Sequence, residues 1–193
     1  RSSSFSVPSF FSFYFQFVKY FFSNNAIIGV EMAYTQFEAI KLNTASHHNV
    51  LDGLIIREVC WKYPGAGIEI GTRGCDQDES DFNSIVFSQI GPKVHGHAIK
   101  IHSGIASTAI VSNKIDANGW PCELGSVVMI SGNKNGIYSN IVSQGDGVTS
   151  VFDIRTRHAT SGQENVFNGN IIATKANVGI HVPDSSAKTT AVC

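Results

Sequence analysis

The chain has 193 residues, enough for one ordinary domain with a continuous core. Apolar residues make up 42% and charged residues 15%, which is a globular composition and not that of a disordered tail. Lys plus Arg total 14 and Asp plus Glu 15, a formal net charge of -1, so no basic excess points to nucleic acid and no polybasic run to an anionic membrane.

Residues 1–23 are dense in aromatic side chains. Phe11, Phe13, Phe15 and Phe17 alternate with Ser12, Tyr14 and Gln16 as in a strand, while Phe10, Tyr14, Phe17 and Phe21 share one helix face. We read this segment as a cap or docking segment over the open end of a repeat array. Lys19 inside the apolar run and the lack of an A-x-A-like site weaken a signal-peptide reading. The run is too short for a membrane span.

From residue 24 to residue 184 the chain repeats itself. Short apolar strands recur as Ala39–Leu42, Gly67–Ile70, Ala98–Ile101, Val127–Ile130, Val151–Ile154 and Gly179–Val182. Their second residues fall at 40, 68, 99, 128, 152 and 180, so the steps are 28, 31, 29, 24 and 28. A second series precedes each strand after the first: Val50–Ile55, Phe82–Phe87, Ile110–Ile115, Ile137–Val142 and Val166–Ile171. A unit of this size cannot bury its apolar side alone, so copies must stack into one core. Gly or Asn bounds the short runs, which disfavours a helical solenoid. A β-sandwich gives no reason for the period.

Residues 185–193 form a polar tail without an apolar cap, which predicts that the chain is a fragment or that another subunit covers this end. Cys60, Cys75, Cys122 and Cys193 lack CxxC spacing. They fit one or two disulfides in a secreted protein, or else buried free thiols.

The strings Asn-x-Ile and Asn-Gly, as in SNKIDANGW over residues 112–120, resemble the repeats of the pectate lyase-like superfamily. The resemblance implies an all-β, right-handed parallel β-helix of about six coils. It is weaker for activity, because one scaffold serves lyases, hydrolases, epimerases, tailspikes and adhesins.

Stacking turns the repeat into a spatial expectation. With Ile99 and Ile101 inward and Lys100 outward, the outward positions form a column of Lys41, Glu69, Lys100, Met129, Asp153 and His181. Two residues on runs a parallel row of Asn43, Gly71, His102, Ser131, Arg155 and Pro183. Polysaccharide lyases of the superfamily remove a proton next to a uronate carboxylate. They need a base and positive charge to offset that carboxylate. By this resemblance Lys100 is the base, Arg155 an acid or carboxylate clamp, and His102 a helper. Lys41 is a substrate-binding residue, and Glu69 and Asp153 are candidate calcium ligands. Glu69 beside Lys100 works against the base role, because it favours the charged amine. The bland alternative is a set of surface ion pairs worth about 0–1 kcal/mol each.

Trp61, Tyr63 and Trp120 sit in corresponding loops and suit stacking on sugar rings. His95 and His97 share a strand face if extended, a weak metal signal. His47 and His48 read as turn residues. The acidic run CDQDESD at 75–81 reads as a solvated loop, and the GDG at 145–147 supplies one Asp where the hydrolase branch uses a pair.

The expectation is therefore a secreted, extracellular β-helix that binds an acidic polysaccharide and cleaves or epimerises it by β-elimination-type chemistry. Its implied cofactor is calcium or none. Its partners are a polysaccharide or other glycan, without nucleic acid or a membrane span. The alternative is a non-enzymatic structural or adhesive β-helix that associates end to end.

Overall fold

The computed structural model describes residues 4–5, 23–43, 45–60, 65–72, 80–116, 125–143, 148–155, 162–173, 176, 178–182 and 190–192. The chain is an all-β parallel β-helix. It runs through three sheets in turn, and every strand pairing is parallel. The first sheet stacks Ser4–Phe5, Ala26–Ile28, Val50–Asp52, Ser84–Val86, Ala109–Val111, Gly136–Tyr138, Val166–Asn168 and Thr190–Val192. The second stacks Glu31–Ala33, Ile55–Arg57, Gln89–Ile90, Lys114–Asp116, Ile141–Ser143 and Ile171–Ala173. The third stacks Ile40–Leu42, Gly65–Ile70, Gly96–Ile101, Ser126–Ile130, Ser150–Ile154 and Val178–His181. Within the aromatic N-terminal segment, Ser4–Phe5 extends the first sheet by pairing with Ala26 and Ile27. Among the described residues no helix is long and apolar enough to cross a membrane.

Like stacks on like in the interior. Ile70, Ile101, Ile130 and Ile154 form one buried column, and Ile85, Ile110, Ile137 and Phe167 another. Each such side chain taken from water stabilises the fold by roughly 1.5–3 kcal/mol. Because a unit buries its apolar side only against its neighbours, this core exists only as a stack.

The bends beside the first sheet are equally regular. Between the first and second sheets each turn passes through one residue in the left-handed region, at Gly29, Gly53, Phe87, Ser112, Ser139 and Gly169. The residue after the bend then stitches the stack together. The Asn113 N–H donates to Asn140 Oδ1 at 2.9 Å, and the Asn140 N–H donates to Asn170 Oδ1 at 3.0 Å. In return Asn140 Nδ2 donates to Ile110 O and Asn170 Nδ2 to Ile137 O. A bend would otherwise bury backbone groups without partners, and the asparagine amide supplies both a donor and an acceptor.

A second asparagine ladder lies on the other side of the first sheet. Asn25, Asn49 and Asn83 are linked by backbone N–H to Oδ1 bonds, as are Asn135 and Asn165. Thr108 holds the equivalent place between the two groups. Its N–H reaches Asn135 Oδ1, but its own Oγ1 is buried without a partner.

Candidate functional site

The outer face of the third sheet carries the charge. Register pairs Lys41 with Glu69, Glu69 with Lys100, Lys100 with Met129, Met129 with Asp153 and Asp153 with His181. The column deduced from the repeat is thus present, residue for residue. Its environment differs from a solvated sheet face: Glu69 is only 4% exposed, and Met129 and Asp153 are also buried. The surface-ion-pair reading therefore does not describe Glu69.

Glu69 sits under three donors. Lys41 Nζ is 3.1 Å from Oε1, His102 Nε2 is 2.9 Å from the same oxygen, and Lys100 Nζ is 3.6 Å from Oε2. The carboxylate can only accept, so the His102 ring carries its proton on Nε2. Burial pushes the Glu69 carboxyl upward in pKa. The His102 hydrogen bond and the charges of Lys100 and Lys41 outweigh it and bring the value down to about 2. A buried carboxylate that lost these partners would cost about 3–5 kcal/mol, far more than a surface pair contributes.

A related group lies further along the column. Arg155 Nε donates to Asp153 Oδ2 at 2.6 Å, and His181 Nδ1 lies 2.9 Å from Oδ1. Burial raises the Asp153 carboxyl, but the hydrogen bonds from His181 and Arg155 and their charges hold it below the usual carboxylate range. Arg155 belongs to the second row. Backbone bonds from His102 to Ile70 O, from Ser131 to Ile101 O and from Arg155 to Ile130 O carry that row forward. Ser131 Oγ and Asn43 Oδ1 are buried there without a partner.

His97 joins this face, which alternation along the strand does not foretell. Pairing runs Gly96 to Gly65 and His97 to Ala66, then skips a position to Ile99 and Ile68. Ala98 turns into the apolar core, so His97 turns out beside the charges. Its Nδ1 donates to Ser126 O at 2.8 Å, which leaves Nε2 as the unprotonated nitrogen of the neutral ring. Burial, helped by the charges of Arg155 and Lys100 and opposed by the Ser126 bond and the Asp153 charge, brings its pKa down to about 4. His95 Nδ1 instead lies 3.2 Å from Cys60 O. The two rings serve different carbonyls, and among the described residues no three His, Cys, Asp or Glu side chains converge as metal ligands.

Both Glu69 oxygens and both Asp153 oxygens are held by lysine, arginine or histidine side chains. A calcium ion would have to displace those side chains, so these carboxylates do not fit a calcium site as arranged. Trp61, Tyr63, Trp120, the GDG at 145–147 and most of the acidic run at 75–81 lie outside the described residues. Asp81 is described and accepts a bond from the Ala106 N–H, a loop contact. Cys60 is a buried free thiol, pushed up to about 12 by burial, and the other three cysteines lie outside the described residues.

With this geometry in place, the relatives can be set beside it. No family model and no curated protein matches the chain. Among solved structures it is similar to an alginate lyase from Paenibacillus sp. str. FPU-7, with TM-score 0.69 and 18% identity over 88% of this chain. The chain shares the parallel β-helix fold of that structure. It spans 66% of that lyase's length. A double mutant of the periplasmic alginate epimerase AlgG aligns with TM-score 0.46 and 10% identity, over 89% of this chain and 39% of the epimerase.

Proposed function

We propose that the outer face of the third sheet binds an acidic polysaccharide and acts on it by β-elimination-type chemistry, as a lyase or an epimerase. The observation that carries this reading is the column itself. Among the described residues Lys41, Lys100 and Arg155 gather on one face around two buried carboxylates, Glu69 and Asp153. An excess of fixed cations on one sheet face is suited to a polymer that bears carboxylates. The fold shared with an alginate lyase agrees with that choice of substrate. An extracellular setting goes with it.

In this reading Lys100 gives one proton to solvent as the substrate docks, and the resulting amine takes the proton α to the uronate carboxylate and returns to the cationic form. The electron pair left behind forms a ring double bond and expels the glycosidic oxygen, which takes its proton from the newly formed Lys100 ammonium or from water. Return of a proton to the opposite face would give epimerisation instead. Lys100 is the base by position, since its 3.6 Å contact is the longest of the three made to Glu69. Lys41 offsets the substrate charge. Arg155, two strands from Lys100, serves as a clamp for a carboxylate further along the polymer rather than as an acid, because a guanidinium does not give up its proton. His102 holds Glu69 in place and so positions both lysines. Trp61, Tyr63 and Trp120 would stack on sugar rings beside this face. No step is routed through a metal.

The test is incubation with alginate, pectate and related uronates, with and without calcium. Unsaturated product is followed by ultraviolet absorbance and sugar inversion by NMR. Turnover that disappears in Lys100→Ala supports the proposal. Unchanged polymer in every case, with filaments visible by microscopy, would instead establish the non-enzymatic, end-to-end reading.

A further inference from the structure

The charged column contains one arrangement twice. At the first station Glu69 is buried beneath Lys41 and Lys100. At the second Asp153 is buried beneath Arg155 and His181. Buried Met129 separates them in the register. In each station the carboxylate is covered and its basic partners reach solvent, with Arg155 39% and His181 50% exposed at the second. A surface ion pair matches one charge with one. Here a single buried anion pins two basic side chains.

We infer that Arg155 and His181, pinned by Asp153, form a second carboxylate-binding station that takes another acid group of the same polysaccharide chain. The inference rests on the polysaccharide reading above and adds a direction and a minimum length to it. The chain of sugars lies along the stacking axis, and both stations are filled only by an oligomer.

Three features support the assignment. Asp153 engages Arg155 through Nε, and the Nη pair forms a separate donor edge whose fork matches a carboxylate. His181 turns Nδ1 to Asp153, so Nε2 adds a donor in the imidazolium form. Both side chains are held in place by Asp153 before a ligand arrives, which reduces the ordering cost of binding. Spacing agrees as well. Arg155 lies two strands from Lys100, roughly 10 Å at about 4.8 Å per strand. A 1,4-linked pyranose advances a distance close to one strand spacing, so an acidic chain returns a carboxylate at matching intervals.

Calorimetric titration of the full chain with oligouronates, from a monosaccharide to a hexasaccharide, tests this. Wild type is expected to show a rise in affinity of roughly tenfold at the length that first spans both stations, as one added charge-assisted contact would give. In the double variant Arg155→Gln, His181→Gln the ratio of long to short affinity should fall to about one or two, on the same scale. Urea midpoints show whether the variant is folded, and His181→Gln alone gives a partial loss if the double variant is not. A smooth dependence on length in wild type, a step retained in the folded variants, or an equal step with neutral oligosaccharides would overturn the second station. If no uronate of any length binds, the polysaccharide reading itself falls.

Discussion

Two regions of this molecule stack their residues by the same rule and to different ends. At the bend after the first sheet, Asn113, Asn140 and Asn170 lie amide on amide, each repeating the bond of the one before. On the outer face of the third sheet, Lys41, Glu69, Lys100, Met129, Asp153 and His181 follow one another with no neighbour repeated. A uniform column satisfies the same backbone groups at every turn, which is a structural demand. A mixed column meets no repeating demand. Its buried carboxylates carry the cost of desolvation, and in the proposed reading they hold cations for a ligand.

The sharpest break between the regions should come from Lys100→Ala. Turnover of the preferred uronate is expected to fall about 10²–10⁴-fold, the range for loss of a positioned base. The urea midpoint should move little, because Glu69 keeps Lys41 and His102. Asn140→Ala should do the reverse. It strands the Asn113 N–H and the Ile110 carbonyl in a buried bend, at a cost of roughly 3 kcal/mol in unfolding free energy. Turnover per folded molecule should be unchanged. A large stability loss in the lysine variant, or a catalytic loss in the asparagine variant, would erase the distinction.

Acid offers a smaller and graded test. Below the ordinary histidine pKa near 6.5 the unfolded chain takes up a proton that folded His97 refuses until about pH 4. Stability should therefore decline as the pH drops through that window, by on the order of 2–3 kcal/mol. His97→Gln should flatten this part of the urea-derived profile. Glu69 acts lower. Its contribution is complete above the ordinary carboxylate pKa near 4.5 and is lost as the pH falls toward 2. A wild-type profile as flat as that of His97→Gln would contradict the neutral, buried ring.

The mildest change sharpens the comparison from the structural side. Thr108→Asn places an amide where the second ladder lacks one and gives the buried position a partner. A rise of about 0.5–1.5 kcal/mol in unfolding free energy is expected. A fall would show that the bend at Thr108 does not accept the ladder geometry.

Much of this was legible in the sequence. The spacing of Ile68, Ile99, Val128 and Phe152 revealed the stack, and the same register put Glu69 between Lys41 and Lys100 and His181 beside Asp153. The asparagine ladders were not recognised, although Asn113, Asn140 and Asn170 recur with the same period. Burial of Glu69 is a property of the folded surroundings and has no counterpart in the repeat. His97 reads from the sequence only as a weak metal signal with His95, and its place beside the charged column does not follow because simple alternation sends it inward. Instead Ala98 joins the apolar core, and His97 bonds Ser126 O. Phe87 shows the limit from the other direction: it occupies a left-handed bend where Gly or Ser stands in other turns, and it is 67% exposed.

The most direct measurement is NMR mapping of an oligouronate titrated into the folded chain, with side-chain signals of Lys41, Lys100, Arg155 and His181 assigned. The account predicts shifts concentrated on this mixed column and its second row, with the asparagine bends unmoved. Shifts centred on the bends of the first sheet, or none at saturating ligand, would contradict it.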